Sequence, residues 1–205
     1  MDTKSLIQIP GYVYNEYLLV ISPPPVLLEK IKKVKHEFYE KYQAENVLWG
    51  RPHIALIHFI QFEMMEERVV NRLKTIGMGY TPFKVTLKNF GSFPGHTIYI
   101  NIESQLPVKN LIKALRPAQQ LITLNKDQKP HYMDMPHIMM AGKLLPWQYE
   151  KGWPEYQHKH FTGHFIADSM LLIKRKIGIQ KYQLVERFEF MNMPVDTTQG
   201  ALFTG

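Results

Sequence analysis

Cysteine is absent from the 205 residues. That excludes disulfide bonds and thiolate zinc sites, and it fits a cytoplasmic protein. No apolar run approaches the ~18 residues needed to span a bilayer, and the opening Met1–Pro10 lacks the long apolar core of a signal peptide. A glycine-rich phosphate loop and a Gly-x-Ser-x-Gly elbow are missing too, which argues against nucleoside triphosphatases and serine hydrolases. There is no low-complexity segment or linker. What remains is an ordinary globular composition, 45% hydrophobic and 21% charged, long enough for one domain or two small lobes. The formal net charge of +7 favours anionic partners such as RNA, nucleotides or phosphorylated metabolites. The lysines of the first helix, Lys30, Lys32, Lys33 and Lys35, are expected on its solvated face.

Periodicity divides the chain into short elements. Residues 1–12 read as an irregular lead-in. Residues 16–22 form a strand that the three prolines 23–25 stop. Leu27, Leu28, Ile31, Val34, Phe38 and Tyr42 then recur at helical spacing. A strand over 53–61 and a helix over 64–76 follow, with Gly77 and Gly79 ending the helix. Strands are expected over 83–90 and 97–102, joined by a turn at 91–95. Pro107 opens a helix to about residue 123 that Pro117 kinks. After a polar loop over 125–134 come a strand over 137–144, a helix over 146–156, and strands over 166–175 and 182–190 joined near Gly178. The tail beyond Met193 reads as mobile.

One dipeptide organises this series. Pro-His occurs three times, and two occurrences share a sentence: Arg51-Pro52-His53-Ile54-Ala55-Leu56 and Met135-Pro136-His137-Ile138-Met139-Met140. Aligning His53 with His137 also aligns the strands over 16–22 and 97–102, and the helices that follow them. This is an internal duplication of a strand–helix–strand unit. The expected fold is α+β: one bilobed domain over 13–192, with two antiparallel sheets flanking a central groove and helices outside. In each copy the His and the third motif residue share one strand face, opposite the intervening apolar residues. A lone strand histidine is ordinarily a satisfied structural residue. Two at equivalent places in a duplicated unit can act as base and acid for phosphoester chemistry without a metal.

These residues resemble the two-histidine (2H) phosphoesterase superfamily, with its 2′-5′ RNA ligase and 2′,3′-cyclic phosphodiesterase branch. That family carries two copies of His-hydrophobic-Thr/Ser-hydrophobic. The segments His53–Leu56 and His137–Met140 match at the histidines and the flanking hydrophobic positions. The resemblance implies a bilobed, metal-independent enzyme; separately, no cofactor is expected, and the protein is expected to be cytoplasmic and monomeric. It would act on RNA ends or small phosphorylated nucleotides, by hydrolysis or ligation, with His53 and His137 catalytic. The chain departs from the pattern at Ala55 and Met139, where the family has a hydroxyl that grips phosphate. Neither side chain donates a hydrogen bond. Arg51 and Lys143 are the replacement candidates; Lys143 shares the parity of His137 if the strand stays regular through Gly142. The alternative function is a catalytically weak or inactive module that binds RNA ends or nucleotides in the same groove.

Further features have plainer readings. His131 is expected in a loop at the groove rim. His158, His160 and His164 read as surface residues, because no carboxylate accompanies them at ligand spacing. His58 has the opposite parity to His53 and is expected to be structural. Lys174-Arg175-Lys176 could approach a nucleic-acid backbone or simply end a strand in solvent.

Overall fold

Alternation in the segment YNEYLLVI sends Asn15, Tyr17, Leu19 and Ile21 to a buried face, and Glu16 and Leu18 to a more open one. A computed structural model, which describes residues 11–194, shows this segment as β1 (Tyr14–Ile21). The lead-in expected at 1–12 and the tail expected beyond 193 lie almost wholly outside the described residues. Pro25 opens α1 (Pro25–Tyr42), where a missing N–H costs nothing. Then come β2 (Ile54–Phe62), α2 (Glu66–Met78), β3 (Phe83–Phe93) and β4 (Thr97–Ile102). The second copy continues with α3 (Gln105–Ala114), α4 (Gln119–Ile122), β5 (His131–Tyr132) and β6 (His137–Ala141). The chain ends with α5 (Pro146–Tyr156), β7 (Thr162–Ala167), β8 (Ser169–Lys176) and β9 (Gln183–Glu189).

The strands lie in the order β7-β3-β4-β6-β2-β1-β8-β9, and every pairing is antiparallel. Two four-stranded halves meet at one residue pair, Ile54 with Ile138. The first half holds β1, β2, β8 and β9, and the second β3, β4, β6 and β7, so the chain leaves one half and returns to it. All of the fully buried strand residues Tyr17, Leu19, Ile21, Ile54, Leu56, Ile138 and Met140 join the core cluster with Ile31 and Phe38 of α1 and Val108 and Leu111 of α3. The helices therefore cover one face and leave the other open.

The duplication extends to a defect in the sheet. Leu19 pairs with Ile57 while Val20 pairs with Ala55, so Leu56 is an extra residue in β2. Ile98 pairs with Ala141 while Tyr99 pairs with Met139, so Met140 is the equivalent extra residue in β6. A bulge at the fourth motif position of each copy bends its strand.

Several boundaries differ from those expected. The kink at Pro117 is a full break, with a 3-10 turn at Arg116–Ala118 between α3 and α4. Gly79 ends α2, but Gly77 lies inside it, where a Cβ would stand 3.1 Å from the Cβ of Phe188. β3 extends through Phe93, shortening the turn. β5 is only two residues long, and β7 shows just two buried positions, so neither had an apolar pattern to read. β6 stops at Ala141, since Lys143 adopts a left-handed backbone with φ 54°.

Candidate active site

Each motif histidine is delivered by a buried proline and a strand start. Pro52 and Pro136 are buried, and Ile54, Leu56, Ile138 and Met140 are fully enclosed beneath the sheet. Parity then leaves His53, Ala55, His137 and Met139 on the helix-free face. At the antiparallel Ile54–Ile138 pair, Ala55 lies beside His137 and His53 beside Met139. The four motif residues thus surround the seam between the two halves.

The imidazoles are held alike. His53 Nδ1–H donates to the Arg51 carbonyl at 2.8 Å, and His137 Nδ1–H donates to the Met135 carbonyl at 2.7 Å. A carbonyl accepts only, so each ring is fixed in the tautomer that leaves Nε2 unprotonated and available as a base. Desolvation pushes both histidines below the ordinary imidazole value. The Arg51 carbonyl opposes that shift at His53, while the charges of Lys35 and His137 add to it.

The second half supplies an aromatic wall. The rings of Tyr99 and Phe93 lie 4.9 and 5.3 Å from the His137 ring and 4.8 Å from each other. Asn101 pairs with His137 across β4 and β6. Gly91 allows this packing, because a Cβ there would stand 2.6 Å from the Tyr99 ring and 2.7 Å from the Asn101 side-chain oxygen. The amide of Asn46 donates to the carbonyls of Gly142 (2.7 Å) and Lys143 (3.1 Å), tying the loop before β2 to the turn after β6.

The replacement cations are placed differently from each other. Arg51 sits directly before the first motif, with an exposed side chain. Lys143 is exposed too, but strand parity does not govern it, because its left-handed turn begins after β6 has ended. Met139 is half exposed, and its sulfur covers the place where a Gly142 Cβ would stand, 2.6 Å away.

Three sequence expectations need correction. His58 is on the same open face as His53, because the bulge at Leu56 reverses parity between them: Val20 pairs with Ala55, and Leu18 with His58. There His58 contacts Glu16 at 2.7 Å. Arg175 makes two 2.8 Å bonds to the same carboxylate and Tyr182 a third at 2.9 Å. Burial pushes Glu16 up, but these donors outweigh it and hold the carboxyl at about 2. Arg175 is therefore engaged in an ion pair. His131, expected in a loop, lies in β5 paired with His58. Lastly, Lys35 is not on the solvated face of α1. It is 7% exposed on the apolar stripe, and burial lowers its ammonium to about 8. Its place four residues after Ile31 and three before Phe38 was the legible signal.

His158 and His160 lie outside any strand, so alternation does not relate them. Among the described residues, no group of three or more His, Cys, Asp or Glu could hold a metal ion, and no helix is long and apolar enough to cross a membrane.

Comparison with known proteins accords with this geometry. Solved structures share the fold at low identity. LigT of E. coli without ligand has a TM-score of 0.57 at 13% identity, covering 86% of this chain and 98% of its own. LigT complexed with 3′-AMP gives 0.59 at 14%, with the same coverage. A Thermus thermophilus protein gives 0.55 at 14%, again covering 86% and 98%. No curated protein matches the chain in sequence. The family model for the 2′-5′ RNA ligase superfamily matches residues 23–178, most of the chain and both histidine motifs, so the protein belongs to the 2′-5′ RNA ligase superfamily of two-histidine phosphoesterases.

Proposed function

We propose that this chain is a metal-independent phosphoesterase acting on a 2′,3′-cyclic phosphate or a 2′-5′ linkage of RNA or a nucleotide. The observation that carries the reading is the matched pair of imidazoles, each anchored through Nδ1 to a carbonyl two residues back and each next to the Ile54–Ile138 pair in sequence. In the proposed reaction, the unprotonated Nε2 of one histidine takes a proton from water as the water oxygen bonds to phosphorus. The other histidine, protonated, gives its Nε2 proton to the sugar oxygen as its bond to phosphorus breaks. Its positive charge also stabilises the extra negative charge of the transition state. LigT has been crystallised with 3′-AMP and with ATP, so nucleotide phosphates are reasonable ligands to test here.

The test is turnover of nucleoside 2′,3′-cyclic phosphates and 2′-5′ oligonucleotides with EDTA present. Turnover is expected to persist in EDTA, and strict dependence on added divalent metal would rule the mechanism out. The pH profile is a second check. The pair works when one imidazole is protonated and one is not. Both titrate below 6.5, so kcat/KM is expected to peak on the acid side of 6.5 and to fall above it as the acid is lost. A maximum well on the alkaline side of neutrality would contradict the assignment.

One observation favours a second reading, a nucleotide-binding module with weak or no catalysis. Ala55 and Met139 leave the third position of each motif without a hydroxyl donor. If the phosphate grip is deficient for that reason, Ala55→Thr with Met139→Thr is expected to tighten nucleotide monophosphate binding about tenfold, as one charged hydrogen bond would. Titration at fixed salt measures it. No change would mean that the grip comes from elsewhere.

A further inference from the structure

The strand beside the second motif carries a donor that the protein itself does not use. β4 pairs with β6 so that Tyr99 faces Met139, Ile100 faces Ile138 and Asn101 faces His137. Directly paired residues of an antiparallel ladder project to the same side, with Cβ atoms about 4.5–5.5 Å apart. Asn101 therefore stands beside His137 on the helix-free face, while Ile100, fully buried, points with Ile138 towards the helices. Asn101 is half-buried, and among the described residues its side chain makes no hydrogen bond. Its carbonyl end is turned to Gly91, where a Cβ would stand 2.7 Å from Oδ1. The Nδ2 group keeps two N–H donors without an acceptor.

The first copy repeats the placement. Val20 pairs with Ala55 and Ile21 with Ile54, and one step further along this register Ser22 meets His53. Each motif histidine thus has a polar residue opposite it on the neighbouring strand, at equivalent places in the duplication. The Ser22 hydroxyl already donates to the Pro23 carbonyl at 3.3 Å, so Asn101 is the donor left open. Arg51 and Lys143 lie outside β2 and β6, and no ladder fixes either of them against a histidine.

We propose that Asn101 grips the phosphate at His137. Its Nδ2–H donates to a non-bridging phosphate oxygen and supplies the hydrogen bond that Met139 cannot. This rests on the proposed phosphoesterase reading and adds a substrate-binding residue to it. The donor is neutral, so it holds phosphate without setting a second cation against an imidazole that has to carry a proton.

Binding and turnover test this separately. Calorimetric titration with adenosine 3′-monophosphate compares the wild type with Asn101→Ala and Asn101→Asp. Asn101→Ala is expected to weaken binding about tenfold, the loss of one hydrogen bond to a charged group. Asn101→Asp keeps nearly the same size but turns an anionic acceptor towards the phosphate, and should weaken binding further. It takes the place of Asn101→Ala should that variant not fold. Adding Met139→Thr to the Asn101 variant is expected to recover most of the affinity, because a hydroxyl then stands at the third motif position; a loss caused by a disturbed fold would not be recovered. Unchanged binding in the Asn101 variants overturns the proposal, and so does a loss that Met139→Thr leaves untouched. Turnover of a 2′,3′-cyclic mononucleotide tells this failure from that of the underlying reading. Turnover by the wild type with unchanged binding in the variants would keep the phosphoesterase and sink the Asn101 contact. Weakened and rescued binding without turnover of any substrate would do the reverse.

Discussion

His53→Ala and His137→Ala are each expected to lower turnover of a 2′,3′-cyclic phosphate by about 10²–10⁴, the usual worth of a general acid or base. The two losses should not multiply in the double variant, because one proton is taken and another given in a single displacement, and either deletion already stops it. Folding should survive. Each imidazole is only partly buried and makes one hydrogen bond, to a carbonyl two residues back on its own strand entry. A steady-state assay beside a circular-dichroism melt measures both. Full activity in either folded variant would refute the two-histidine mechanism. As a control, His131→Ala should leave most of the activity, since that residue belongs to the short strand β5, paired with His58 and not with the motif residues.

Glu16→Ala should have the largest effect on stability of any single polar change. The carboxylate is 12% exposed and accepts from His58, Arg175 and Tyr182. Removing it leaves a half-buried guanidinium and an imidazole facing a void. Loss of one partner from a buried ion pair costs about 3–5 kcal/mol. Arg175 keeps 29% exposure and His58 keeps 23%, so water recovers part of that. We expect about 2–3 kcal/mol, or a fall of roughly 4–12 °C in Tm for a chain of this size. The sign of the pH dependence follows from the depressed carboxyl. Its folded value is about 2 against an ordinary 4.5, so its contribution is complete above about 4.5. It is lost as pH falls towards 2, where the unfolded chain binds the proton first. Thermal melts at neutral pH and at about pH 3 should therefore show a smaller gap between wild type and variant in acid. A gap that widens in acid would contradict this account of Glu16.

Much of this was legible in residues alone, and the places where it was not have specific causes. The pairing of the two Pro-His sentences is local sequence, so the duplication, the strand starts at Ile54 and His137, and the open-face placement of the motif residues followed from period-two alternation. That rule runs only as far as the strand is regular. Leu56 and Met140 look like any other apolar strand residues, yet each is a bulge, and the first reverses the parity of His58. Lys143 was misplaced for a related reason, since the strand stopped two residues before it.

By itself, the sequence determined the α+β class, the duplicated unit and the two histidines, because hydrophobic periodicity and a repeated motif are properties of neighbouring residues. Only the tertiary structure decided what stands around them. It assembled the Glu16 cluster from β1, β2, β8 and the segment before β9, brought Tyr99 and Phe93 against His137, and buried Lys35 on the apolar stripe of α1. Those contacts join residues far apart in the chain, and they depend on the seam, the bulges and the packing of α1, which no local pattern encodes.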